Sequence, residues 1–167
     1  MRGLKQGKPF ALMEQTPSVT NWLPYNSLKR PGVMRLWSYQ AVAHGADTVM
    51  FFQMKRSIGA CEKYHGAVID HAGHENTRVF REITQLGEEL DKIGSLTLGA
   101  RTHAKAAVVF DWDNWWATDY SAGPSVSLHY YDEVLTYYKA FHSLNIPVDM
   151  ISVEDDLSDY AFVVAPL

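Results

Sequence analysis

A carboxylate closes a short apolar run in Phe10-Ala-Leu-Met-Glu14, and an aromatic loop holding Trp22 and Tyr25 follows it. An acid delivered to the end of a core strand beside aromatic side chains suits sugar chemistry. One carboxylate serves as nucleophile or base, a second as acid, and an aromatic face packs on the C–H surface of a pyranose. The competing reading is that Glu14 caps a turn or pairs with an arginine, as most surface charges are merely solvated. A second stretch, Cys61-Glu-Lys-Tyr-His-Gly66, spaces Glu62 and His65 three apart. One helical turn puts such a pair on one face, where carboxylate and imidazole can grip a pair of hydroxyls. Metal binding by Glu62, His65, His71 and His74 is the rival. His71-Ala-Gly-His74-Glu75 matches neither His-Glu-x-x-His nor its inverted form, so no metal site is expected. Cys61 could act as a nucleophile with His65, but no third orienting group stands at a recognisable spacing. A small buried thiol is expected instead. Trp112, Trp115 and Trp116, flanked by Asp111, Asp113 and Asn114, fit either a core or an exposed platform, and both readings stay open.

The elements that must position these residues follow from periodicity. Phe10–Met13 reads as a strand. Pro31-Gly32 opens a helix in which Val33, Leu36, Trp37, Gln40, Ala41 and His44 keep a helical rhythm, and Gly45 ends it. Asp47–Gln53 is a second strand. The loop from Met54 to His74 is long enough to be functional. Glu75 to Gly94 is an amphipathic helix with Val79, Phe80, Ile83, Leu86, Leu90 and Ile93 on one face. The order strand, loop, helix repeats, with the unusual residues in the loops after strands, as in parallel α/β sheets and barrels. After a linker over Leu96–Thr102 a second unit begins at Lys105. It comprises strand Ala106–Phe110, an aromatic loop Asp111–Trp116, a helix Ser127–Leu144, and strands Val148–Val153 and Ala161–Ala165. No internal repeat or low-complexity tract is visible.

Composition bounds the rest. With 167 residues, 47% of them hydrophobic and 13% aromatic, the chain can build a sizeable core. A net charge of −4 with no extended basic run argues against nucleic acid. The single cysteine excludes an internal disulfide framework. No apolar stretch approaches the roughly 18–20 residues that span a bilayer, so no membrane partner is expected, and a soluble, cytoplasmic protein is. The final run Ala161–Leu167 reads as a buried strand lacking neighbours, which raises the expectation that the chain is a piece of a longer protein.

Leu12-Met-Glu-Gln-Thr-Pro-Ser18 with Asn21-Trp22, Phe51-Phe-Gln53 and Gly59-Ala-Cys-Glu-Lys-Tyr-His-Gly-Ala67 closely resemble the family 42 glycoside hydrolases, the microbial β-galactosidases. Trp37-Ser-Tyr-Gln40, Ala43-His-Gly-Ala46 and Val109-Phe-Asp-Trp-Asp-Asn-Trp-Trp116 extend the likeness over essentially the whole chain. The resemblance implies an α/β chain in two parts. Residues 1–100 would be the last two strand–helix units of a (β/α)8 TIM barrel. Residues 101–167 would be the first half of a flavodoxin-like or amidotransferase-like domain used in trimer assembly. It implies retaining hydrolysis of terminal β-D-galactosides, with Glu14 as nucleophile, Trp22 as a wall of the galactose pocket, and Glu62 and His65 holding galactose hydroxyls. The family's acid/base Glu and its zinc-binding Cys cluster would lie upstream, so no cofactor is expected of this chain. A homotrimer is expected of the full-length protein, and little activity or solubility of this chain alone. Met54-Lys55-Arg56 departs from the family's usual Trp-Arg-Arg, removing a flat surface if a Trp faces the sugar. The different-class alternative is a non-catalytic α/β binding or assembly domain in which Glu14 is structural.

Overall fold

Strand β1 (Phe10–Gln15) pairs in parallel with β2 (Ala46–Phe51). It runs past the apolar stretch because Gln15 is itself buried, its side-chain amide donating to Ser38 Oγ at 2.8 Å. The computed structural model describes residues 1–5 and 7–167, and they fall into two units: Pro9–Ala100, and Arg101–Leu167 together with Met1–Lys8.

In the first unit, helix α1 (Val33–Ala43) lies between the strands in sequence. Gly32 and Gly45, at φ 82° and 97°, flank it in the left-handed region that glycine enters without strain. Met34 and Ser38 form its buried stripe. Helix α2 (Arg78–Thr97) begins three residues later than the periodicity predicts. Thr77 is extended, and its Oγ1 caps the helix by accepting from Phe80 N at 3.2 Å. Leu86 is buried at the centre of the expected apolar face, and Val79, Phe80, Ile83, Leu90 and Ile93 are half-buried around it. Glu89 ties α2 to α1, accepting from Arg35 Nε at 2.7 Å and from the Tyr39 hydroxyl at 3.0 Å.

The second unit holds a three-stranded parallel sheet in the order β4-β3-β5. The strands are β3 (Ala106–Val109), β4 (Val148–Ile151) and β5 (Phe162–Val164). Central β3 reads Ala-Ala-Val-Val, a continuous apolar run suited to a strand covered on both faces. Two helices, α3 (Trp112–Tyr120) and α4 (Tyr130–Ser143), connect β3 to β4. The sequence of Asp111–Trp116 predicts a loop. It is the start of a helix, because Asp111 acts as N-cap and accepts from Asp113 N at 3.1 Å. Helix α4 starts at Tyr130, not Ser127, since Ser125 and Ser127 hydrogen-bond each other in the preceding turn. Val108, Tyr130 and Val134 form the core, with Phe110, Trp115 and Phe141 packed on it. The Tyr130 hydroxyl accepts from Asp111 N at 2.9 Å, which fixes the start of α3. Both readings of the tryptophan cluster hold in part: Trp115 packs on the core, while Trp112 and Trp116 are 53% and 52% exposed.

Met1–Lys8 packs with 101–167, not with the residues that follow it. The Arg2 guanidinium donates to Asp149 Oδ1 at 2.6 Å, and the Tyr160 hydroxyl donates to Oδ2 at 3.1 Å. A Cβ on Gly3 would lie 2.3 Å from Met150 O, so only glycine permits that approach to β4. Among the described residues, no helix is long and apolar enough to cross a membrane.

Candidate active site

The four residues singled out by sequence lie on β1 and on the two loops at its C-terminal end. Glu14 is the penultimate residue of β1, and its side chain is exposed. The loop after β1 buries Pro17 and Ser18 and then displays Trp22, which is 69% exposed. The loop after β2 is folded back on itself. Val68 N donates to Gln53 O at 2.9 Å, Ile69 N to Met54 O at 2.8 Å, and Arg56 N to Ile69 O at 2.9 Å. The peptide between Phe52 and Gln53 is cis. At the tip of this loop, His65 N donates to Glu62 O at 3.0 Å, closing one turn. Glu62 and His65 therefore sit on one turn, as their spacing suggests.

Three contacts bind the two loops. Gly66 N donates to Val19 O at 2.7 Å. The Asn21 side-chain amide donates to the Cys61 carbonyl, next to both Trp22 and Glu62. Thr16 Oγ1 lies 3.4 Å from His65 Nε2. The segment after the nucleophile candidate and the Glu62–His65 turn are thus a single positioned surface.

His65 is only 2% exposed. Its Nδ1 is 3.1 Å from Gly66 O, which can only accept, so Nδ1 is the donor there, and the tautomer this sets leaves Nε2 as the acceptor. The edge of Phe52 meets the imidazole at 5.0 Å between centroids and 78° between planes, fixing its tilt. At 3.4 Å the Thr16 contact is long for a hydrogen bond, leaving Nε2 weakly satisfied. Glu62 is half-buried, and its Oε2 is fully covered with no hydrogen-bond partner. Gln15 Oε1, Gln53 Nε2 and Arg56 Nε share that condition, but Glu62 Oε2 is the carboxylate among them, an acceptor-only group that is costly to leave unpaired and suited to take a donor from a ligand.

Cations support the frame. Lys29 donates to the Thr16 carbonyl and stands 4.9 Å from the Trp37 ring centroid, and burial lowers its pKa. Arg56 bridges Asp70 Oδ1, at 2.8 Å, and Tyr64 O, at 2.7 Å. The Arg56 hydrogen bond holds the Asp70 carboxyl below its ordinary value. Among the described residues no three His, Cys, Asp or Glu side chains converge on a metal position. His71 Nε2 lies 2.7 Å from Ser57 O, and His74 Nδ1 accepts from Asn76 N at 3.2 Å. Cys61 is exposed, contrary to the expected buried thiol, because the turn directs Glu62 and His65 inward and leaves Cys61 outside. Thr16, Asn21, Arg56 and Gly66 were not singled out as site residues. Thr16, Asn21 and Gly66 act through contacts between the two loops, and Arg56 through contacts across its own loop, which no local pattern encodes.

Comparison with known proteins adds a separate line. The profile of glycoside hydrolase family 42, described as beta-galactosidase, matches residues 1–93. A second profile, described as beta-galactosidase trimerisation domain, matches residues 104–167. A beta-galactosidase of Planococcus sp. (strain 'SOS Orange') is 66% identical over the whole chain, which covers 25% of that protein. One of Geobacillus sp. (strain Y412MC61) is 48% identical, again with the chain covering 25% of it. Among solved structures, the beta-galactosidase of Bacillus circulans sp. alkalophilus superposes with a TM-score of 0.95 at 67% identity, over 98% of this chain and 24% of that one. The chain therefore spans about a quarter of the length of the relatives it matches.

Proposed function

Because the chain belongs to glycoside hydrolase family 42, the β-galactosidases, we propose that it supplies the nucleophile half of a retaining enzyme that removes terminal β-D-galactose residues. The observation that carries this reading is the covered, unpartnered Oε2 of Glu62, on a loop joined by the Asn21–Cys61 hydrogen bond to the loop that follows Glu14 and holds the exposed Trp22. A hydroxyl of galactose supplies the missing donor, His65 Nε2 accepts from a second hydroxyl, and Trp22 walls the sugar's apolar face.

In this mechanism Glu14 attacks the anomeric carbon and forms a galactosyl ester as the aglycone leaves. A second Glu, from outside this chain, protonates the leaving oxygen and then deprotonates the water that hydrolyses the ester. Retention requires the two carboxyl groups to lie about 5–5.5 Å apart. Residues 1–100 act in this reading as the last two strand–helix units of a (β/α)8 barrel, whose sites form at the C-terminal ends of strands. Residues 101–167 act as the opening part of a flavodoxin-like or amidotransferase-like domain that assembles a homotrimer. The chemistry needs no cofactor. The chain by itself lacks the acid, whose help is worth about a hundred- to ten-thousandfold, so by itself it is inactive.

The test is Glu14→Ala in the full-length enzyme. Turnover of nitrophenyl galactoside is lost, and azide restores it, giving α-galactosyl azide by a single inverting displacement. Undiminished hydrolysis by the variant contradicts the proposal.

A further inference from the structure

We propose that Arg56, held by Asp70, is a positioning residue that sets the Glu62–His65 turn for sugar binding; this rests on the galactosidase reading above. Arg56 stands at the base of the loop after β2, and its own backbone N donates to Ile69 O at 2.9 Å. Its guanidinium turns into the loop and is largely covered, with 17% of the side chain exposed. One terminal nitrogen donates to Asp70 Oδ1 at 2.8 Å, and the other donates to the carbonyl of Tyr64 at 2.7 Å. That carbonyl belongs to the peptide whose nitrogen is the His65 N–H, the group that closes the turn onto Glu62 O at 3.0 Å. The guanidinium therefore pulls on the far side of the same peptide group that defines the turn.

The chemistry of the two ends explains the choice of residue. The planar fork of arginine presents two donors at a fixed angle, so it can satisfy a carboxylate and a carbonyl together, whereas an ammonium is a single compact point charge. Asp70 accepts from its neighbour His71 N at 2.6 Å as well, which anchors the carboxylate to its own backbone. The guanidinium is thus fixed at one end and acts at the other. Loss of the fork frees the Tyr64 carbonyl, and Glu62 and His65 lose their common orientation without either side chain being altered.

The experiment is a double-mutant cycle in the full-length enzyme, with nitrophenyl galactoside as substrate. Arg56→Ala raises KM about tenfold, in the range for one hydrogen bond to a charged group, and leaves kcat within about twofold, because binding and not chemistry is disturbed. In a Glu62→Ala background the same substitution raises KM by clearly less, about threefold, since one of the two residues it positions is gone and only His65 remains to be disturbed. Arg56→Lys gives a smaller rise with the same non-additivity, and it carries the cycle if Arg56→Ala does not fold. Equal KM ratios in the two backgrounds mean that Arg56 acts on the protein at large, and they overturn the positioning role. A fall in kcat with KM unchanged overturns it also. A wild-type enzyme inactive on galactosides removes the underlying functional reading, whereas an active enzyme with additive losses removes only this inference.

Discussion

Gly66 is the point at which the two site loops touch through backbone alone, so a single methyl there tests how tightly the site is held. A Cβ at this position would lie 2.7 Å from Val19 N, 2.8 Å from Ser18 Oγ and 3.1 Å from Ser18 Cβ. Ordinary contacts begin near 3.4 Å, so one backbone must retreat by about 0.7 Å. The Gly66 N–H to Val19 O bond, 2.7 Å long, opposes that retreat. Overpacking of this kind costs about 1–3 kcal/mol of stability. Its effect on activity is larger in proportion, because displacing a positioned group by about 1 Å can cost about a hundredfold. In the full-length enzyme, Gly66→Ala is expected to lower kcat/KM for nitrophenyl galactoside by about ten- to a hundredfold at temperatures where it stays folded. Gly87→Ala, on α2 where a Cβ meets nothing within 4 Å, is the control. It leaves activity unchanged and adds about 0.5–1 kcal/mol of stability, as alanine outranks glycine in a helix. If Gly66→Ala matches Gly87→Ala in kcat/KM, the loops are not coupled in the way described.

Glu62→Gln keeps the shape of the side chain and removes its charge; kcat/KM for aryl galactosides falls about ten- to a hundredfold. The loss is smaller for deoxy sugars missing the hydroxyl that Glu62 holds, and an equal loss on both disproves the contact. Tyr160 is pushed up to about 12, first by burial and then by the Asp149 carboxylate that accepts its hydroxyl. A raised folded value means that its contribution to stability is whole below the ordinary tyrosine value of about 10. That contribution is lost as pH rises through 12. Ultraviolet difference titration of wild type against Tyr160→Phe should show one late-ionising tyrosine missing, and identical late limbs contradict the Asp149 contact.

Local periodicity and turn chemistry carried much of this fold. The apolar stripe of α2 was readable from Val79 to Ile93 because burial follows the helical repeat. The glycine at 45 marked the end of α1 because it adopts a positive φ. The start of α3 was misread because three tryptophans after an aspartate suggest a displayed loop, while the deciding fact is a single cap bond from Asp113 N. The pairing of Met1–Lys8 with 101–167 was not legible, since it depends on Arg2 meeting Asp149, 147 residues away. The site divides in the same way. Glu14 stands out as a charge ending an apolar run, and Glu62 with His65 stands out by spacing. Asn21, Thr16 and Gly66 gain their parts only when the two loops meet, and Arg56 only when its own loop folds back on itself, and a chain read in order contains no sign of either.

In the proposed mechanism Glu14 forms the covalent bond to the sugar. The direct measurement is to incubate the full-length enzyme with an activated 2-deoxy-2-fluoro-β-galactoside, whose fluorine slows release of the ester more than its formation. The protein is then digested with pepsin and the labelled peptide sequenced by mass spectrometry. One fluorogalactosyl adduct per chain is expected, on the carboxylate of Glu14 within the Leu12–Ser18 segment. An adduct on any other residue, or an active enzyme that accumulates none, contradicts it.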